Sequence, residues 1–84
     1  MRGENLVTLS VHCFDDESPD GIRVYFEPEG ADHRLMPGGS FRVECYPPDG
    51  QAIEIGHHPD GLSLWIGDDW GVRAFRRDGS ELQL

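Results

Sequence analysis

Lysine is absent from this 84-residue chain, no apolar run reaches the length of a membrane span, and no segment carries the 3.6-residue period of a helix. Each absence excludes something. Without Lys, the 7 basic residues are all Arg, set against 16 acidic residues for a net charge of -9. Arg76 and Arg77 form the one adjacent basic pair, so the clustered cations of a phosphate-tracking surface are missing and no nucleic-acid partner is expected. The N-terminal segment has no apolar stretch of signal-peptide length, and nothing later nears the ~20 apolar residues that span a bilayer. The expectation is a cytoplasmic protein with no membrane partner. Cysteine is scarce too: Cys13 and Cys45 fall in the apolar phase of their segments without zinc-like spacing, so buried reduced thiols are expected rather than a bridge or a metal clip.

What the chain does have is alternation. Residues 6–14 set Val7, Leu9, Val11 and Cys13 against Thr8, Ser10 and His12, the period-two pattern of a half-buried strand. Residues 22–27 repeat it with Ile22, Val24 and Phe26, leaving Tyr25 on the opposite face. Short strands are read at 32–36, 41–46, 51–57, 62–66, 72–76 and, as an edge, 81–84. Phe41, Val43 and Cys45 define one core face, Ile53 and Ile55 another, and Leu62, Leu64 and Ile66 a third, with Trp65 out of phase. Turn chemistry separates the runs: Pro37-Gly38-Gly39, Pro47-Pro48-Asp49-Gly50, His58-Pro59-Asp60-Gly61 and Asp78-Gly79. The Pro37–Gly39 reversal, flanked by two strands, is read as the central hairpin of the domain.

Seven or eight short strands at intervals of about 8 to 12 residues predict an all-β fold, an antiparallel sandwich or small barrel, with residues 1–84 forming one domain. A chain of this size buries only about 60–65% of its unfolded surface. Association with a second copy would bury more, which makes a homodimer an expected outcome.

Candidate chemistry is thin. His57 and His58 are adjacent and diverge on a strand; His33 and His57 share the phase of their core residues and would converge only if their strands paired in register. The acidic runs Asp15-Asp16-Glu17 with Asp20, and Asp68-Asp69, offer oxygen ligands without the spacing of a calcium loop. His12-Cys13 lacks the frame of a nucleophile and its base. No cofactor and no catalytic residue is assigned. Tyr25 and Trp65 lie opposite their core phases, Trp70 sits in a nearby loop, and Arg23 and Arg73 are expected on the same outer surface; such a patch suits a planar ligand or a second subunit.

The residues Glu27-Pro28-x-Gly30, Leu35-x-Pro37-Gly38-x-x-Phe41-x-Val43 and Asp60-Gly61-Leu62 through Trp65 to Val72 and Gly79 resemble small uncharacterised bacterial proteins that read as single cupin-like β domains. The resemblance implies a jelly-roll barrel. Cupins proper hold a metal with a His-x-His, a Glu and a later His near that turn, whereas here His33 has no second His two positions away and Glu27 lies too early. The expected function is a small acidic noncatalytic domain that binds itself, another protein or a small molecule through Tyr25, Trp65, Trp70, Arg23 and Arg73. The alternative is a cupin-like ligand or metal site, with or without enzymatic activity, around His33 and His57 with Cys45 or Glu44 nearby.

Overall fold

Alternation of apolar and polar residues becomes seven strands in the computed structural model, which describes residues 2–14 and 19–84: β1 (Val7–His12), β2 (Ile22–Glu27), β3 (Ala31–Leu35), β4 (Ser40–Cys45), β5 (Glu54–His58), β6 (Gly61–Trp65) and β7 (Arg73–Arg76). They form two sheets, β1-β4-β7 and β3-β2-β6-β5, that face each other as a small all-β sandwich rather than a closed barrel. No helix long and apolar enough to cross a membrane occurs among the described residues.

Burial follows the phase of each strand. Val24 and Phe26 of β2, Phe41, Val43 and Cys45 of β4 and Leu64 of β6 are buried between the sheets, joined by Val11, Leu35 and Ala74. Cys13 and Cys45 are both buried free thiols. Burial pushes the Cys45 thiol pKa up, which keeps it protonated and a poor nucleophile.

The Pro37–Gly39 turn is a correction to the expected hairpin. β3 pairs with β2 in one sheet and β4 pairs with β1 and β7 in the other, so this turn carries the chain across the sandwich. Leu35 and Phe41, one on each side of it, enter the core from opposite layers. The local hairpins are β2–β3, closed by Gly30 N–H donating to Phe26 O, and β5–β6, closed at His58-Pro59-Asp60-Gly61.

Four of the five strand pairings are antiparallel; β2 and β6 run parallel, Arg23 beside Gly61 and Glu27 beside Trp65. Arg23 N–H donates to Asp60 O at 2.8 Å where β6 enters, and Ile66 N–H donates to Glu27 O at 3.1 Å where it leaves. The expected last strand at 81–84 shrinks to a single bridge between Phe75 and Glu81, with Leu82 N–H bonded to Ala74 O and the Leu82 side chain buried. Ile55 is a second correction. It has the core-facing phase of β5, opposite buried Leu64, yet it is 57% exposed.

Candidate functional site

Register across β3-β2-β6-β5 arranges the outward side chains of the four-stranded sheet in rows. One row reads Arg34, Arg23, Gly61, His58; the next Asp32, Tyr25, Ser63, Gly56; the third Glu27, Trp65, Glu54. Glycines at 56 and 61 leave the middle of this face low, and the Tyr25 and His58 rings meet above it edge-on at 5.6 Å between centroids. Gly56 has no room for a side chain, because a Cβ there would lie 2.6 Å from Ser63 Oγ.

Hydrogen bonds fix the polar edge of the face. Tyr25 Oη donates to Asp60 Oδ2 at 2.7 Å, and Arg23 Nη1 donates to Asp32 Oδ2. Arg34 Nη1 donates to Asp20 O at 2.7 Å. The bond from Tyr25 pulls the Asp60 pKa below its ordinary 3.8, and the same bond raises the Tyr25 pKa because the carboxylate holds the phenolic proton. With its folded pKa lowered, Asp60 contributes stability above pH 3.8, and that contribution is lost as pH falls through the lowered folded value. Tyr25→Phe is therefore expected to raise the Asp60 pKa back toward its ordinary value with the fold intact, read by NMR titration of the Asp60 carboxyl carbon. An unmoved Asp60 would show that the phenol is not its partner.

Trp65 rises from the third row, 49% exposed, between two carboxylates. Tyr25, Trp65 and Arg23 thus share one surface. Trp70 and Arg73 do not belong to it. Trp70 is only 8% exposed; it folds back into the core beneath the 67–71 loop, where its indole nitrogen would lie 2.3 Å from a Cβ at Gly67. Arg73 is on β7, in the outer face of the other sheet, where its guanidinium binds Glu81 at 2.9 Å and stacks with that of Arg42 against Phe75.

His33 and His57 do lie on one core-facing row, but at its two ends, with Val24 and Leu62 between them. Three strand spacings put their backbones about 14 Å apart, too far to ligate one ion together. His33 instead packs edge-on against Phe26 and Phe41, with Nε2 2.7 Å from Gln83 O. Cys45 is sealed in the core and Glu44 is paired with Arg42 on the far sheet, so the residues of the alternative site are dispersed. Among the described residues no three His, Cys, Asp or Glu side chains gather as a metal-ligand group. Asp15, Asp16 and Glu17 of the first acidic run lie outside the described residues; Asp20 accepts from Arg34 through its backbone.

An open cleft of about 850 Å³ runs between the end of β1 and the β5–β6 turn, with His12, Arg23, Arg34, His57, His58 and Asp60 among its walls. It borders the outer face at Arg23 and His58. Comparison adds no relative. Searches of protein-family models, curated proteins and solved structures each return no match for this chain.

Sequence pattern alone does not assign Asp32, His58 and Asp60 to this face. The β2–β3 hairpin, once its turn is placed at Pro28-Glu29-Gly30, sets Asp32 diagonal to Arg23, a signal that was present. The meeting of Tyr25 with Asp60 depends on the parallel β2–β6 pairing, which no local pattern encodes.

Proposed function

We propose that this chain is a noncatalytic, self-associating binding domain, and that its working surface is the outer face of the four-stranded sheet. The observation that carries the reading is Trp65, a large aromatic held half-exposed on a sheet whose other face supplies the core. Keeping an indole in water forgoes apolar burial that a partner would restore, and Trp and Tyr are frequent anchors where proteins meet. Tyr25 and Arg23 are already held by Asp60 and Asp32, so little side-chain freedom remains to be lost on docking.

Sedimentation over a range of concentrations tests the reading. The native chain is expected to self-associate at 0.15 M salt, where repulsion between two copies of charge -9 is screened beyond about 8 Å. Trp65→Ala is expected to weaken that association about tenfold or more while leaving the thermal melt nearly unchanged. A native chain that stays monomeric throughout, with an indole equally open to acrylamide at every concentration, would refute it.

A further inference from the structure

The self-association read above leaves open which part of the surface meets its copy, and the sheet edges decide among themselves. The edge of β7 is covered: Arg76 N–H bonds to Ser80 O at 2.8 Å and Leu82 N–H to Ala74 O at 2.8 Å. Side chains along β3 are committed, Asp32 to Arg23, His33 to Gln83 O and Arg34 to Asp20 O, and Leu35 is buried. β1 offers Thr8 and Ser10 outward, with no pair of opposite charges to select a partner.

β5 has an open edge and opposite charges along it. It pairs with β6 alone, and among the described residues no other backbone hydrogen bond reaches residues 54–58. Its sequence, Glu-Ile-Gly-His-His, contains neither Lys nor Pro, and its register against β6 runs unbroken from Glu54 to His58, so no Lys, Pro or bulge blunts this edge. Ile55 has more than half its surface in water. Neither the Glu54 nor the His57 side chain has an ion-pair or hydrogen-bond partner among the described residues.

Two-fold symmetry then limits the register, and the charges along β5 select one. In an antiparallel pair, directly opposite residues share a face, so a two-fold axis must pass through a residue rather than between two. With the axis at Gly56, Glu54 faces His58 of the other copy, Ile55 faces His57, and glycine meets glycine where the chains cross. The outer face gains a carboxylate opposite an imidazole twice over, and the inner face covers both Ile55 side chains. Trp65 flanks the joint one strand in, so anchor and edge make one continuous surface.

We propose that a second copy of this chain docks along the β5 edge, antiparallel about Gly56, joining two four-stranded sheets into one of eight strands. This rests on the self-association reading and names its geometry. Because Ile55 is largely exposed, Ile55→Lys keeps the fold and puts a charge on the edge; it is expected to be monomeric at concentrations tenfold above those at which the native chain pairs.

A register-specific cross-link separates this proposal from the broader one. Mixed under mild oxidation, Glu54→Cys and His58→Cys proteins are expected to form a disulfide-linked heterodimer, because opposite positions lie within bridging distance. Either protein alone is expected not to cross-link, since position 54 then sits four residues, about 14 Å, from its own copy. The native Cys13 and Cys45 are buried and do not compete. If Ile55→Lys associates as tightly as the native chain, or the single proteins cross-link as well as the mixture, the β5 joint is wrong even where Trp65→Ala still weakens pairing; a chain monomeric at all concentrations overturns both readings.

Discussion

Gly61→Ala is expected to destabilise the protein by about 4 kcal/mol or more, enough to unfold it at moderate temperature, because there is no space for one methyl group. A Cβ built on Gly61 would lie 1.8 Å from the carbonyl oxygen of Arg23 and 2.7 Å from that residue's carbonyl carbon and amide nitrogen. All three are backbone atoms of β2, so no side chain can swing aside to relieve the overlap. The strands would have to part at the one place where the sheet runs parallel, and the Arg23 N–H bond to Asp60 O would go with them. Small domains hold a net stability of about 5–15 kcal/mol, so a loss of this size is a large share of the whole. Gly30→Ala is the control. Gly30 has a positive φ of 84° but nothing within 4 Å of an added Cβ, and its substitution is expected to cost about 1–2 kcal/mol through backbone strain alone. Urea titration of the two variants gives the comparison, and equal midpoints would contradict the steric argument.

The two tryptophans are expected to respond to truncation in opposite ways. Trp70→Ala removes a core indole and leaves a cavity, at a cost of about 3–5 kcal/mol. Its backbone is also tied in, since Trp70 N–H bonds to Gly67 O and Trp70 O accepts from Tyr46 N–H, so the 67–71 loop would lose the side chain it wraps. Trp65→Ala trims a half-exposed ring from the outer face and is expected to shift stability by about 0.5 kcal/mol. The single-Trp proteins Trp70→Phe and Trp65→Phe give the matching spectroscopic check: the chain that keeps Trp70 is expected to emit at shorter wavelength and resist acrylamide, and the chain that keeps Trp65 to be quenched readily. If both emit alike, the assignment of one indole to the core and one to the surface fails.

Trp70 also shows where sequence reading stops. Strand residues announce their side of the sheet through phase, and on that basis Val24, Phe26, Phe41, Val43, Cys45 and Leu64 were legible as core and Tyr25 and Trp65 as outward. A tryptophan in a loop has no such rhythm, and its burial follows from Gly67 giving the indole room to fold back. Phase is equally silent about neighbours. Arg73 was expected beside Tyr25, yet β7 joins the other sheet, and the Pro37–Gly39 turn that resembles a hairpin is a crossing between layers. Ile55 shows a third limit: its phase is right, opposite buried Leu64, but phase does not say whether a core-facing position at a sheet edge is covered. The candidate surface was thus half readable, with Tyr25, Trp65 and Arg23 together and their partners Asp60 and Asp32 supplied by pairings between distant parts of the chain.

The order in which strands enter the two layers has a consequence for how the protein is made. The three-stranded layer draws on β1, β4 and β7, so its last piece arrives only with residues 73–76, after every strand of the four-stranded layer has been made. Until then the four-stranded layer has an incomplete lid, and a nascent chain leaving the ribosome presents apolar side chains with nothing to cover them. Closure must wait for β1 and β7, each about thirty residues away along the chain, to reach β4 between them, the kind of search that sets folding times of milliseconds to seconds rather than microseconds. A truncation of the last dozen residues would therefore remove a whole strand from the lid.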